Sequence, residues 1–217
     1  MTNTDKIAYK LHRIFGLIGG LFILMLTLTG SILLFDNAID GWLNPATVSV
    51  TPGAAERSPA RQPYDTVLQT LQRQYPTASV RNLMLYAQTD NRAIRAEVRE
   101  GKKRLWAYVN PYSGVFLGER DADSVFVRQV LSLHEHLLAP PVGDWILFLV
   151  GICLIGSVLT GTWYYRKSLV RVFSVGIRWN KPKRLVYGDL HNYFGVASLL
   201  FLLVVSVSGT FFHWEHI

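Results

Sequence analysis

The chain has 217 residues, half of them apolar and only 17% charged, with a formal charge of +7. That balance excludes an ordinary soluble domain of this size and suits a small membrane protein. The single cysteine, Cys153, rules out a disulfide framework, a multi-thiolate metal site and a CxxCH haem attachment.

Residues 1–13 carry three basic side chains and one acid, and lead into a stretch, 14–35, with no charge before its end. Roughly 20 apolar residues span a bilayer, so this stretch is the first transmembrane helix. Its apolar run exceeds that of a signal peptide, and no small-x-small cleavage site follows it, so it reads as an uncleaved anchor.

Residues 36–123 form a polar insert. Thr51 to Pro63 has the composition of a linker. YDTVLQTLQRQY (64–75) has helical spacing of Val67, Leu68 and Leu71. VRNLMLYA, AIRAEVRE and KRLWAYVN then alternate as strands. Their turn signals are Thr89-Asp90-Asn91 and Glu100-Gly101-Lys102, and a further turn, Asn110 to Gly114, leads into VFLGER. One helix followed by a small antiparallel sheet is the expected fold. Residues 124–139 predict an amphipathic helix with Val127, Val130, Leu131, His134 and Leu138 on one face, and His136 pointing elsewhere. Pro140 and Pro141 interrupt the chain before the second span, 142–165.

The loop 166–189 is basic, and its first nineteen residues hold seven basic side chains and no acid. The insert between spans one and two is nearly balanced, with twelve basic against eleven acidic side chains over 36–142. The positive-inside rule therefore puts the N-terminus and this loop in the cytoplasm, and the insert outside, in the periplasm of a Gram-negative cell or beyond the membrane of another bacterium. The third span, 190–214, returns outward, so the C-terminal end is periplasmic. Basic residues flanking spans, with no base-reading motif, argue against nucleic-acid binding. Trp42, Trp145, Phe211, Phe212 and Trp214 suit an interfacial aromatic belt.

A shift of 179 residues aligns LHRIFGLIGGLFILMLTLTGSILLF (11–35) with LHNYFGVASLLFLLVVSVSGTFFHW (190–214), with eight of 25 positions identical. Each copy has a glycine four residues and another eighteen residues after its histidine. On a straight helix, His191, Gly195, Ser198, Leu202, Gly209, His213 and His216 share one stripe, and His12, Gly16, Gly19, Ile23 and Gly30 form its counterpart. Small residues on such stripes permit close helix packing.

The six histidines fall into two layers. His12 and His191 open the first and third spans, while His134, His136, His213 and His216 lie at the other surface. Ionisable residues at membrane depth point to function. Imidazole suits iron, copper and zinc, but structural zinc wants four ligands. A haem needs only two protein ligands, one on each face, and two histidines favour electron transfer over oxygen activation. The expectation is two non-covalent, bis-histidine haem b groups. His12 pairs with His191 beside Gly16 and Gly195. His134 pairs with His213 or His216, near Gly209. His191 and His213 would stand about 33 Å apart along a straight helix. No nicotinamide or flavin fingerprint is present, so the donor is a quinol, another reductase or a soluble reductant.

LHRIFGLIGGLFILMLTLTGS, YVNPYSGVFLGERD, LSLHEHLL, LTGTWYYR and DLHNYFG together resemble the PepSY-associated transmembrane helix family over nearly the whole chain. The resemblance implies a membrane α-helical protein with three transmembrane helices and a small external α+β domain of the PepSY kind. The family's LH motifs fall on His12, His134 and His191. Family members include inner-membrane reductases that hold two haems and reduce ferric siderophores in the periplasm, so a ferric-siderophore or ferric-iron reductase is implied. Many members continue beyond a third span, whereas this sequence stops at Ile217. A short form is one expectation, and completion of the site by further membrane subunits or a second copy is the other. A haem-free accessory or regulatory protein, binding a partner through its external domain, is the alternative reading.

Overall fold

The computed structural model describes residues 2–50, 60–87 and 91–216, the His216 side chain excepted. Most of the linker read at Thr51 to Pro63, and most of the turn read at Thr89-Asp90-Asn91, lie outside the described residues. The chain divides into two compact units: Met1–Leu28 with Leu133–Ile217, and Thr29–Ser132.

The first unit is helical. Helix α1 (Asn3–Leu33) starts where Thr2 and Asp5 exchange hydrogen bonds: the Asp5 amide donates to Thr2 Oγ1 at 3.2 Å, and the Thr2 nitrogen donates to Asp5 Oδ2 at 3.0 Å. This reciprocal cap satisfies amides that the first turn leaves unpaired. It extends the helix well ahead of the apolar run. In chain order α2 (Asp36–Leu43), α3 (Pro45–Val48), α4 (Tyr64–Gln74) and most of α5 (Phe126–His136) belong to the second unit, and α6 (Val142–Tyr165) returns to the first. A turn of helix, α7 (Arg171–Val175), leads to α8 (Lys183–Ala197) and α9 (Leu199–His216). Helices α1 and α6 are long and apolar enough to cross a membrane, and α8 with α9 makes a third such segment if the bent pair counts as one span.

That third segment corrects an expectation. It is not one straight helix but two, bent by 65°. The break lies at Ser198, whose hydroxyl donates to the Phe194 carbonyl at 2.6 Å while its amide donates to the same oxygen at 2.9 Å. A serine that bonds back to the preceding turn competes with the helical ladder and bends it. The single stripe from His191 to His216, and the straight-line 33 Å, do not survive the bend.

Glycines on α6 set the packing of this unit. A Cβ on Gly156 would stand 2.8 Å from the Phe15 ring, and one on Gly161 would stand 2.8 Å from His12. A Cβ on Gly151 would overlap Thr210 and reach within 3.3 Å of its Cα. In return, a Cβ on Gly19 of α1 would meet Leu154 at 2.7 Å. Small residues thus let helices approach closely where lipid supplies no hydrophobic drive. The packing role predicted for glycines holds at Gly19. It does not hold at Gly195 or Gly209, whose missing side chains would meet nothing within 4 Å.

The second unit carries a four-stranded antiparallel meander of β1 (Ser79–Met84), β2 (Ile94–Glu100), β3 (Lys103–Val109) and β4 (Phe116–Asp121), in that spatial order. Alternation sends Ile94, Ala96, Val98, Ala107 and Val109 to one face, where Val67 and Leu71 of α4 and Tyr75 at its C-terminal cap cover them. The opposite face seats Tyr108 against Val48, Val50 and Ala93. Gly101, at φ 60°, closes the β2–β3 hairpin. Asn110 Oδ1 accepts from the Tyr112 and Ser113 amides at 2.9 and 3.3 Å, building the turn before β4. Asp40, 4% exposed, pairs with Arg120 at 2.7 Å, and the Tyr108 hydroxyl lies 3.2 Å from the same guanidinium nitrogen. Burial, then the neighbouring Asp40 carboxylate, pushes the Tyr108 phenol up to about 12.

Candidate functional site

Two clusters of histidine lie in the helical unit. The first is built where the start of α1 meets the end of α6. Asp5 pairs with Arg166 at 2.9 Å, and the Tyr9 and Tyr164 rings stand 5.3 Å apart. These contacts set α1 against α6 so that His12 faces Gly161. The His12 ring then reaches Ser157, with Nδ1 2.9 Å from the Ser157 carbonyl oxygen and 3.3 Å from its hydroxyl. A carbonyl oxygen only accepts, so the Nδ1–H donates and Nε2 is left as the basic nitrogen.

His191 enters from α8. Arg178 clasps Asp189 through Nε at 2.8 Å and Nη2 at 2.7 Å, while the Arg178 amide donates to Asp189 Oδ2 at 3.2 Å. This clip ties the basic loop to the helix two residues before His191. The His12 and His191 ring centres lie 5.9 Å apart, with planes inclined by 60°. A cavity of about 180 Å³ opens beside them, lined by both rings, Ser157, Gly161, Gly195 and apolar side chains of α6, α8 and α9.

This donor set fits a metal held between two imidazoles. Metal–imidazole bonds of about 2 Å on opposite sides of one ion place the ring centres about 6 Å apart. The Ser157 carbonyl supplies the partner that ligating histidines generally have on their other nitrogen. Gly195 leaves the space beside His191 open, while Gly16 approaches α6 at ordinary contact, 3.6 Å from Ser157 Oγ.

The second cluster surrounds Asp144 in the first turn of α6, a carboxylate only 3% exposed. Its Oδ1 lies 2.7 Å from His136 Nδ1 and 3.4 Å from His213 Nδ1, and His213 is itself buried. The expectation that His136 points away is corrected here. Helix α5 ends at His136, Leu137 and Leu138 adopt left-handed backbone at φ 52° and 61°, and the chain doubles back toward α6. Gly143 lets the new helix press against the His136 carbonyl, where any Cβ would clash. A helical wheel does not define the direction of a residue at such a reversal. His134 is half-buried on α5. Gly209 sits on α9 one turn before His213 with open space at its Cα. His216 is in the last turn of α9, and its side chain lies outside the described residues.

Sequence reasoning missed Ser157, Gly161 and Asp144. Only Asp144 left a signal, as the one carboxylate within the residues assigned to the second span.

Apolar helices long enough to cross a bilayer, joined to a four-stranded antiparallel sheet with a packed helix, define a membrane protein with a small α+β domain. The chain belongs to the PepSY-associated TM region family, whose model matches residues 9–217. The curated proteins compared with the chain include no match.

Proposed function

We propose that this membrane protein is a b-type dihaem electron-transfer protein of the bacterial inner membrane, working as a ferric-siderophore or ferric-iron reductase. The observation that carries the reading is the His12–His191 pair at 5.9 Å, with His12 Nδ1 committed to the Ser157 carbonyl. A ring separation of that size suits two imidazoles on opposite sides of one ion, and two histidine ligands favour electron transfer over oxygen activation.

In this reading His12 and His191 hold the inner haem, and His134 with His213 or His216 holds the outer one. Bound bis-histidine haem supplies reversible one-electron chemistry. The chain's own residues do the rest. Ser157 fixes the tautomer and orientation of His12. Gly161 and Gly195 keep the cavity clear of side chains. The apolar lining from α6 and α9 excludes water, and the Arg178–Asp189 clip holds His191 in place. Electrons enter on the cytoplasmic side and leave on the periplasmic side, where ferric substrate is reduced.

The test is a visible spectrum of the detergent-purified chain before and after dithionite, followed by reoxidation with ferric chelates of different classes. Two haems per chain with six-coordinate low-spin bands, reoxidised by ferric substrate, are expected. His12→Ala should remove one haem and leave the other. A protein purified without haem ends this reading, and haem that no ferric chelate reoxidises ends the reductase role alone.

A further inference from the structure

The outer layer holds more imidazoles than one axial pair uses, and a carboxylate lies between two of them. Asp144 Oδ1 approaches Nδ1 of both His136 and His213. The separations of 2.7 and 3.4 Å, laid end to end, limit the distance between those two Nδ1 atoms to about 6.1 Å. Two imidazoles bound through Nε2 on opposite sides of one ion, at about 2 Å each, hold their Nδ1 atoms about 8 Å apart. His136 and His213 therefore cannot be the two axial ligands of one haem while both lean on Asp144. The two histidines serve different tasks.

We propose that Asp144 is the positioning residue of the outer haem site. It holds the Nδ1 edge of His213 so that Nε2 is presented to the iron, and His136 braces the carboxylate from the other side. The inference rests on the dihaem reading through His213. Its chemistry is specific: a carboxylate at Nδ1 raises the basicity of the ligating nitrogen and favours the more positive, oxidised iron. His136 is the nearer contact at 2.7 Å, so it anchors Asp144. His213 is the farther contact, at 3.4 Å, so it is the one assigned to the iron. The burial of Asp144 strengthens both interactions, because water does not screen them.

The experiment is a redox titration of the full-length, detergent-purified chain, with low-spin electron paramagnetic resonance signals recorded for each haem. Wild type, Asp144→Asn and His136→Gln are compared. Asp144→Asn keeps the shape and removes the charge. It is expected to raise the midpoint potential of one haem and alter one low-spin signal, with the other haem unchanged and two haems still bound. His136→Gln is expected to shift the same haem by less. Unchanged potentials and signals in Asp144→Asn overturn the proposal, as does an equal shift of both haems. Complete loss of the outer haem in His136→Gln overturns it too, because His136 would then be a ligand itself. Loss of only the outer haem in Asp144→Asn supports it. Wild-type protein without haem removes the dihaem reading and this inference together. Wild type with two haems and a silent Asp144→Asn removes this inference alone.

Discussion

Single atoms decide the inner cluster. Gly161 leaves room for the His12 ring on one side, and the Ser157 carbonyl orients it on the other. An alanine at 161 would place its Cβ 2.8 Å from His12 Cε1, so the ring must turn and abandon Ser157. Gly161→Ala is expected to weaken inner haem binding about 10–100-fold, the usual effect of losing a ligand's outer partner. Haem titration of the stripped protein measures it. In the sheet domain, Tyr108 is the comparable residue. Its phenol is raised to about 12 in the folded chain, from an ordinary value near 10. The folded state therefore holds a proton that the unfolded chain releases. This stabilisation is complete below about pH 10 and is lost as pH rises through about 12. Alkaline unfolding should steepen across that window, and Tyr108→Phe should flatten it, as followed by circular dichroism. The histidines and their grouping were legible in the sequence because imidazole is rare and chemically distinctive. Ser157 and Gly161 were not legible. One acts through its backbone and the other through the absence of a side chain.

At the scale of elements, α6 is the helix against which the others are set. Gly151 meets Thr210 of α9, whereas Gly156 and Gly161 meet Phe15 and His12 of α1. Overpacking such a contact destabilises by about 1–3 kcal/mol. Gly151→Leu should thus loosen α9 from α6 and lower the thermal stability of the helical unit, measured in detergent by scanning calorimetry. The sheet domain has a different weak point, since Asp40 is buried with its charge matched only locally by Arg120. Asp40→Ala should cost about 3–5 kcal/mol, the typical penalty for stripping one partner from a buried pair. The helix and strands of this domain were readable from periodicity and turn residues, and their observed ends lie within three residues of the expected ones. The bend between α8 and α9 was not readable. An apolar run of the right length looks continuous whether or not one serine bonds back to the carbonyl of the preceding turn. The direction of His136 was lost for a related reason: it depends on a chain reversal at Leu137 and Leu138 that no helical period encodes.

For the whole molecule, the membrane class and the family are secure, and the direction of insertion is part of the proposed function. It is checked with a chain in which Cys153 is replaced by serine and one new cysteine is added. Ser113→Cys should react with a membrane-impermeant maleimide added outside intact cells, after permeabilisation of the outer membrane where there is one. Ser174→Cys, in the basic loop, should react only after the inner membrane is opened. The reverse pattern would invert the proposed route of electrons.

The alignment of the two LH segments has a consequence that the bend makes concrete. Position 198 in the second copy corresponds to position 19 in the first. In α1 that position is a glycine lying flat against Leu154, and the helix runs on unbroken to Leu33. In the second copy it is a serine, and the helix turns by 65°. Two segments with a common pattern have thus become non-interchangeable parts: an unbroken strut carrying one histidine, and a jointed arm carrying histidines at both ends. The bend falls at this one aligned position, and exchanging glycine and serine between the two copies asks how much of the asymmetry that residue holds.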